Sequence, residues 1–410
     1  MSQPPDLKRV VYVVSLFPSL SETFIVREIN ALIERGVDVR IISLKKPSRE
    51  LLQTDSAALL DRVRHPQALV PAFRDSWRAF RLNPHAVLRA TALILADSWR
   101  RPDVALKSMA TLFRTLQQVP WLQDFEPQLI HAHWATYPST AAWALGCVLG
   151  RPFSFTCHAH DIFIEKQLLA RKICEAALAV TISRHNVDWL CTHATPMAGH
   201  KLKVIHCGVD MAHAPWQAQH RDARMMLAVG RLDPVKGFET LIDAVALLQE
   251  RGIDLDCRLV GSGPLDPQLR RRAKERGVAS RIEFSGAQPQ ERIRSWMSTA
   301  TLFVLPSQVA ADGNRDGIPV ALMEAMASGC PVVSTRVSGI PELIQDDEDG
   351  MLVEQRDPVA LAAAIERLLE SSALRERLAT RARVRIETEF DSRKEAGRLH
   401  QLMREAVDVA

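Results

Sequence analysis

Two carboxylates eight positions apart bracket the segment Asp316-Gly-Ile-Pro-Val-Ala-Leu-Met-Glu324. Pro319 suits the first turn of a helix, where a missing N–H costs nothing. That predicts Asp316 just ahead of the helix and Glu324 about two turns inside it, with the carboxylates about 9–12 Å apart along the axis. Such a span suits two parts of one nucleotide sugar, one carboxylate accepting from sugar hydroxyls and the other from a ribose diol. Backbone N–H groups between Gly317 and Val320 would face an anion. The same spacing also fits an acid complementing the helix dipole and an ordinary paired glutamate.

A pair of cations precedes this segment. Gly230-Arg-Leu-Asp-Pro-Val-Lys236-Gly237 follows a strand pattern and opens a helix. Arg231 and Lys236 would then stand at the carboxyl end of a sheet, where α/β proteins bind ligands. A diphosphate leaving group needs fixed positive charge as its bond to the sugar breaks. Two solvated surface cations would give the same pattern. Gly261-Ser-Gly263-Pro264 is a further strand-end turn that lacks the full G-x-G-x-x-G of dinucleotide sites.

In the N-terminal half, Ser21 and Glu22 begin a helix after the first strand. Capping alone accounts for Ser21, while the local amides would also suit a phosphate or an acceptor. His131, His133, His158 and His160 fall at two strand ends with Cys157 beside them. Period-two alternation sets each pair on one face. Zinc accepts such ligands, but no carboxylate can be assigned to support them, and the expectation is no metal. Asp254 and Asp256 spell D-x-D at the amino end of a strand, away from the ligand edge, and read as a solvated turn.

Placing these residues takes parallel strands and crossover helices. Residues 10–15 and 37–43 predict strands, joined by a helix over 22–35 with Ile25, Ile29, Leu32 and Ile33 on one face and Gly36 at its end. Further strands are predicted at 128–131, 153–158, 179–183 and 204–207. A second series is predicted at 225–230, 257–261, 282–285, 302–305 and 332–335, alternating with helices at 238–251, 265–276, 289–299 and 318–328. The fold class is therefore α/β, with two Rossmann-like, doubly wound parallel-sheet domains. Their expected extents are 1–209 and 222–385, with a terminal helix over 386–410 packing back on the first. Residues 50–122 interrupt the first series with helical character and no strand pattern. The apolar run after Lys8 and Arg9 imitates a signal peptide, but no small-residue cleavage site follows, and it reads as a first buried strand.

From Gly230 to Glu354 the chain resembles glycosyltransferase family 4, retaining nucleotide-sugar enzymes of the two-domain GT-B fold. Arg231 and Lys236 match that family's diphosphate-binding pair. Asp316 and Glu324 match its E-x7-E motif, with Asp one methylene shorter at the first position. Gly317, Pro319 and the downstream Gly329-Cys-Pro-Val-Val stand as the family has them. Thr156-Cys-His158-Ala-His-Asp161 looks like the family's strand-end histidine segment. The resemblance covers nearly the whole chain except residues 50–122. Ser19-Leu-Ser-Glu-Thr-Phe24 is similar to a subgroup associated with exopolysaccharide and capsule synthesis.

The resemblance implies domains facing across a cleft, with the donor held by Arg231, Lys236, Gly261, Asp316, Gly317, Ile318, Pro319, Val320 and Glu324. It implies that His158 contacts the donor sugar near the reacting carbon and acts with Asp316, Arg231 and Lys236. Ser21 and Glu22 would form a phosphate or acceptor loop. No cofactor is expected beyond the nucleoside diphosphate sugar, and the acceptor would be a glycan or a lipid-linked glycan. A nucleotide-sugar epimerase and a non-catalytic nucleotide-sugar-binding partner remain as alternatives. A phosphorylase would need a cofactor lysine and a much longer chain. A dehydrogenase would need the glycine fingerprint that Gly261 and Gly263 leave incomplete.

Across 410 residues, 52 Lys and Arg stand against 48 Asp and Glu, a net charge of +4 that gives no reason to expect nucleic acid. The distribution is less even. Residues 61–114 hold ten basic and four acidic residues, a local net of +6, which leaves −2 for the rest. The segment also carries Phe73, Trp77, Phe80, Trp99 and Phe113. Arg74, Trp77, Arg78 and Arg81 share one helical face. Basic residues with interfacial aromatics suit an anionic membrane surface. Core aromatics with solvated arginines are the other reading. Seven scattered cysteines without a C-x-x-C pair predict reduced thiols and a cytoplasmic protein, peripheral at most on the inner membrane face.

Overall fold

The computed structural model describes residues 6–18, 22–47, 58–214, 216 and 222–409. It divides into two units, one of Met1–Ile205 with Arg393–Ala410 and one of His206–Ser392. The change of unit falls at 205/206, ahead of the expected join, and residues 386–392 belong to the second unit.

The first unit is built on β1 (Arg9–Leu16), β2 (Asp38–Lys45), β3 (Val63–Arg64), β4 (Leu129–His133), β5 (Phe153–Cys157), β6 (Leu178–Thr181) and β7 (Leu202–Val204). Their spatial order is β3-β2-β1-β4-β5-β6-β7, and every pairing is parallel. Val10 sits opposite both Val39 and Leu129. Alternate residues of β1 enter opposite cores, as the pleat requires. Val11 and Val13 face one layer, while Val10, Tyr12 and Val14 face the other.

Two sets of helices cover those faces. Thr23–Glu34 buries Ile25, Val26, Ile29 and Leu32. Beside it lies the last helix, Ser392–Val409, which places Leu399, Met403 and Ala406 in the same core. Removing those three from water is worth several kcal/mol at about 25 cal/mol per Å² of apolar surface, enough to hold a terminal helix on the first unit. The opposite face is covered by Tyr137–Leu149 together with the inserted helices Leu69–Leu82, Pro84–Ser98, Pro102–Leu116 and Val119–Phe125. The insertion is helical as expected, except that it also contributes β3. Two residues at a sheet edge are too short to show a period of two.

The second unit repeats the plan with β8 (Asp222–Val229), β9 (Asp256–Val260), β10 (Ile282–Gly286), β11 (Ala300–Leu305), β12 (Val332–Thr335) and β13 (Met351–Val353). The order is β10-β9-β8-β11-β12-β13, again parallel throughout. The short edge strand β13 gave no usable pattern. The strand expected at 204–207 lies at Leu202–Val204 instead.

In both sheets the winding direction reverses once, between β1 and β4 and between β8 and β11. Loops that leave neighbouring strands there diverge to opposite faces and open a crevice at the carboxyl ends. Every candidate residue described below leaves a strand at, or next to, one of these two points.

Candidate functional site

In the second unit, three strand-end loops are drawn together by close backbone contacts. Gly261, after β9, has φ +145°, and a Cβ there would lie 1.9 Å from the Gly230 carbonyl oxygen. Gly237, at φ +64°, would meet the Pro306 carbonyl oxygen at 1.9 Å. Only glycine tolerates both the conformation and the approach. The Leu232 N–H donates to the Ser262 carbonyl at 2.9 Å, and the Gln308 N–H to the Val235 carbonyl at 2.8 Å. Gly261 therefore acts on this site through loop packing.

These contacts join residues that the sequence offered as separate contributors. The Lys236 ammonium donates to Asp316 Oδ1 at 2.8 Å, and the Ser307 hydroxyl donates to Oδ2 at 2.8 Å. Both members of the ion pair are largely buried, with side chains 16% and 15% exposed. Arg231 lies in the same loop but is 69% exposed and bonds through Nε to Asp233. An exposed guanidinium beside a buried ion pair leaves one cation accessible to a diphosphate and one held by its carboxylate.

The helix after Asp316 begins later than its sequence implied. It spans Val320–Ala327, with Pro319 at the N-cap in extended backbone, φ −66° and ψ 123°. A residue before proline is pushed out of the helical region, so Ile318 cannot extend the helix backwards. Amide donors of the first turn thus begin at Val320. Glu324 lies one turn inside, and 316–319 form no helical spacer. Gln290, from the preceding helix Gln290–Thr299, donates to Glu324 Oε2 at 2.8 Å.

The first unit's crevice holds a buried network. Glu28 Oε1 accepts from the Tyr12 hydroxyl at 2.6 Å and lies 3.0 Å from His133 Nε2. His133 Nδ1 lies 3.1 Å from His158 Nε2. His131 bonds instead to Ser154 Oγ at 2.8 Å and Thr156 Oγ1 at 3.3 Å. His158 packs between the rings of Phe24 and Trp134, at 4.9 and 4.6 Å. Its backbone N–H donates to Asp161, whose carboxylate also receives the Ala135 N–H at 2.6 Å. That carboxylate ties the loop after β4 to the loop after β5.

Other expectations for this half meet mixed outcomes. Glu22 is the N-cap residue, but its carboxylate turns to the Trp134 indole at 3.1 Å rather than to the helix. Ser21 lies outside the described residues. His160 is exposed at the start of a short helix and takes no part in the network. A carboxylate does stand beside the strand-end histidines, contrary to expectation. Glu28, His131 and His133 bring three ligand-type atoms within 4.8 Å of one another. Glu28 was legible in principle, because Ile25, Glu28, Ile29 and Leu32 follow i, i+3, i+4, i+7, with a carboxylate on the buried stripe. Tyr12, Ser307 and Gln290 carried no comparable signal.

The electrostatics of the network follow from burial. Burial by itself raises the Glu28 carboxyl, but His133, His131 and the Tyr12 hydroxyl outweigh it and hold the group below its usual value. His131 is pushed down to about 3, mainly by burial and then by His133. His158 is lowered for the same reasons. In an unfolded chain a histidine titrates near 6.5. Between pH 6.5 and 3 the unfolded chain therefore binds a proton that folded His131 refuses. Stability is present above pH 6.5 and is lost as pH falls toward 3. The slope per such histidine is about 1.4 kcal/mol per pH unit. Urea unfolding at pH 4 to 6.5 is expected to show it, and His131→Asn to lower the proton uptake by about one. An unchanged slope in the variant would refute this account.

The insertion presents an unusual surface. Helix Leu69–Leu82 buries Ala72, Asp75, Ser76 and Ala79. It exposes Leu69, Val70, Phe73 (65%) and Trp77 (60%) instead. At 100° per residue those four fall within an arc of about 100°. Trp99, at the C-terminal end of the next helix, Pro84–Ser98, is 70% exposed, with Arg100 over its ring at 4.7 Å. Of the fourteen large apolar residues exposed among the described residues, nine lie between Leu69 and Leu106. A core role for Phe73, Trp77 and Trp99 is thereby overturned. No helix among the described residues is long and apolar enough to cross a membrane.

Two parallel sheets of the Rossmann order, each with charged residues at its reversal point, are the features of a GT-B glycosyltransferase. Comparison with known proteins agrees. A family model described as glycosyl transferases group 1 matches residues 213–385, and one described as glycosyltransferase family 4 matches 97–213. WcaL of Salmonella typhimurium, named as a colanic acid biosynthesis glycosyltransferase, is 30% identical over 93% of this chain and 96% of its own. AmsK of Erwinia amylovora, an amylovoran biosynthesis glycosyltransferase, is 29% identical over the same shares. Among solved structures, sucrose-phosphate synthase from Thermosynechococcus elongatus superposes with a TM-score of 0.74 at 20% identity, covering 98% of this chain and 100% of that one. Anabaena HepE in complex with UDP gives 0.69 at 18% identity, covering 96% and 98%. The chain belongs to the family 4 glycosyltransferases.

Proposed function

We propose that this glycosyltransferase moves a sugar, with retention of configuration and without a metal or other cofactor, from a nucleoside diphosphate sugar to a glycan or lipid-linked acceptor. The process served is exopolysaccharide, capsule or lipopolysaccharide assembly, a reading supported by the names of WcaL and AmsK. The UDP complex of HepE supports a nucleotide donor. The observation that carries the proposal is the set of charged side chains around the β8–β11 reversal: Arg231, the Lys236–Asp316 pair and Glu324.

In this scheme Glu324 accepts the ribose hydroxyls and Asp316 a sugar hydroxyl, while Arg231 and Lys236 offset the charge of the diphosphate. The sugar–diphosphate C–O bond breaks, and the acceptor oxygen bonds to the same face of that carbon. The acceptor proton passes to the departing diphosphate oxygen. Most of the rate comes from orientation and preorganised charge. His158, its imidazole disfavoured as a cation by burial, serves the sugar as a neutral hydrogen-bonding group.

Glu324→Gln and Arg231→Ala are expected to fold normally, as judged by circular dichroism and melting, and to lose transfer. Undiminished transfer by either variant would sink the assignment. Product formed from donor alone would indicate an epimerase instead. Donor binding without turnover, across UDP-, GDP- and ADP-sugars screened by thermal shift, would indicate a non-catalytic partner. Donors that bind stabilise by about 2.7 kcal/mol at a hundredfold excess over Kd.

A lipid-linked acceptor calls for access to a membrane. We place the insertion on the anionic inner face of the plasma membrane, with Phe73, Trp77 and Trp99 at headgroup depth and the net charge of residues 61–114 facing the lipid.

A further inference from the structure

Lys172, on the short helix Leu169–Glu175, is wholly buried. Its nitrogen donates to the Ala135 carbonyl at 2.5 Å, the Thr136 carbonyl at 3.2 Å, Ser139 Oγ at 3.0 Å and Thr140 Oγ1 at 3.2 Å. Both hydroxyls give their own protons to the Thr136 carbonyl, at 3.0 Å each. The four oxygens therefore act as acceptors toward the lysine. Burial pulls the ammonium down to about 7, against the opposing pull of Asp97 and Asp161. The helix Tyr137–Leu149 also turns the positive end of its dipole toward this cation. An apolar side chain of similar volume often serves stability as well as a buried charge does. Stability alone gives no reason for a lysine at this position.

The atoms it holds belong to a strained turn. Trp134 has φ +78°, a left-handed conformation that a bulky residue keeps only where its surroundings fix it. The next residue is gripped at both polar atoms. The Ala135 N–H donates to the Asp161 carboxylate at 2.6 Å, and the Ala135 carbonyl accepts from Lys172. Both charged side chains are buried. What the turn carries is the Trp134 side chain, with its ring 4.6 Å from His158 and its indole N–H on Glu22 at 3.1 Å.

We propose that Lys172 is a positioning residue, which through the Ala135 and Thr136 carbonyls holds the turn that lays Trp134 against His158 and aims its indole at Glu22. The clamp needs N–H donors, and the ammonium and the neutral amine both supply them. Lys172 bonds to neither His158 nor Glu22, so it acts through the turn. Its effect on transfer rests on the proposed roles of those two residues, whereas its hold on Trp134 does not.

Spectra of the full chain carrying ¹⁵N-labelled tryptophan read the turn directly. The chain has eight tryptophans, and Trp134→Phe assigns the indole signal in question. Lys172→Met keeps the length of the side chain and removes its donors. It is expected to fold, to move the Trp134 indole signal toward that of a solvated indole, and to leave Trp296 of the second unit in place. Its kcat is expected to fall about 10²-fold, the cost of a misplacement of about 1 Å. KM for the donor should change little, because Arg231 and Glu324 are untouched. In a Trp134→Ala background Lys172→Met is expected to lower kcat no further, since the ring it positions is gone. Ser139→Ala with Thr140→Val removes two of the four oxygens, and is expected to move the same signal by less. That variant reads the clamp if Lys172→Met does not fold. An unmoved Trp134 signal in a folded variant, equal losses of kcat with and without the Trp134 ring, or a moved signal with kcat intact would each overturn the proposal. Were the wild type to transfer no sugar, the functional reading would fail, and the indole signal would still decide whether Lys172 holds the turn.

Discussion

Lys236→Met is expected to lower kcat/KM for sugar transfer by about 10²- to 10³-fold, the cost of losing one preorganised charge at a developing anion. The structure adds a second effect. Asp316 would keep its bond from Ser307 but lose the ammonium at 2.8 Å, leaving a largely buried carboxylate short of a partner. Hydrogen bonds to charged groups are worth about 1.5–3 kcal/mol, so the melting temperature should fall as well. Asp316→Asn, made alone, should also weaken the fold, because it strands Lys236. Combined, the two substitutions remove both charges, and the stability loss of the pair should be clearly smaller than the sum of the single losses. Activity should not recover, because neither charged group returns. Additive stability losses would show that the pair is not coupled. Transfer restored in the double variant would show that the ion pair serves folding alone.

The second large effect concerns the insertion. Phe73→Ser with Trp77→Ser is expected to abolish co-sedimentation with vesicles containing anionic lipid while leaving the melting temperature unaltered. Both side chains are mostly exposed, and surface substitutions of this kind stay within about 0.5 kcal/mol. Replacing Arg81, Arg100 and Arg101 by Ser should weaken binding by roughly 10²-fold, taking about 1 kcal/mol per basic residue near the surface. Binding to neutral vesicles should be weak for all forms, and added salt should reduce it further for the wild type. Wild-type protein that sediments equally with neutral and anionic vesicles, or not at all, would remove the membrane reading. Self-association that disappears in the Phe73 and Trp77 variant would instead assign the same face to a second copy of the chain.

That surface shows how far a helical pattern can mislead. Phe73, Trp77 and Trp99 are aromatic, and aromatics at helical spacing are usually core residues. In Leu69–Leu82 the buried positions are the small and polar ones, Ala72, Ser76 and Ala79, along with Asp75. Small residues allow this helix to approach its neighbours closely, and the large apolar side chains are left outward. Nothing local to the sequence specifies which of two faces meets a partner helix.

The charged residues of the second unit were legible for the opposite reason. Arg231, Lys236 and Asp316 lie between strands and helices and Glu324 lies in the first turns of a helix, and strands and helices announce themselves over short windows. Local chemistry also exposes a limit. The helix was expected from residue 318, whereas Pro319 is the N-cap, so Glu324 sits one turn inside.

By itself the sequence determined the two parallel-sheet units, the helical insertion and the residue types gathered at the strand ends. Those features depend on periods of two and 3.6 residues and on turn residues, all of which act within a few positions. Only the tertiary structure decided who partners whom. Lys236 meets Asp316 across 80 residues, and His133 meets Glu28 across 105. The physical reason is the strand order. Reversal of the winding between β1 and β4, and again between β8 and β11, brings together loops that are far apart in the chain. The close contacts at Gly237 and Gly261 then set the distance between those loops in the second unit.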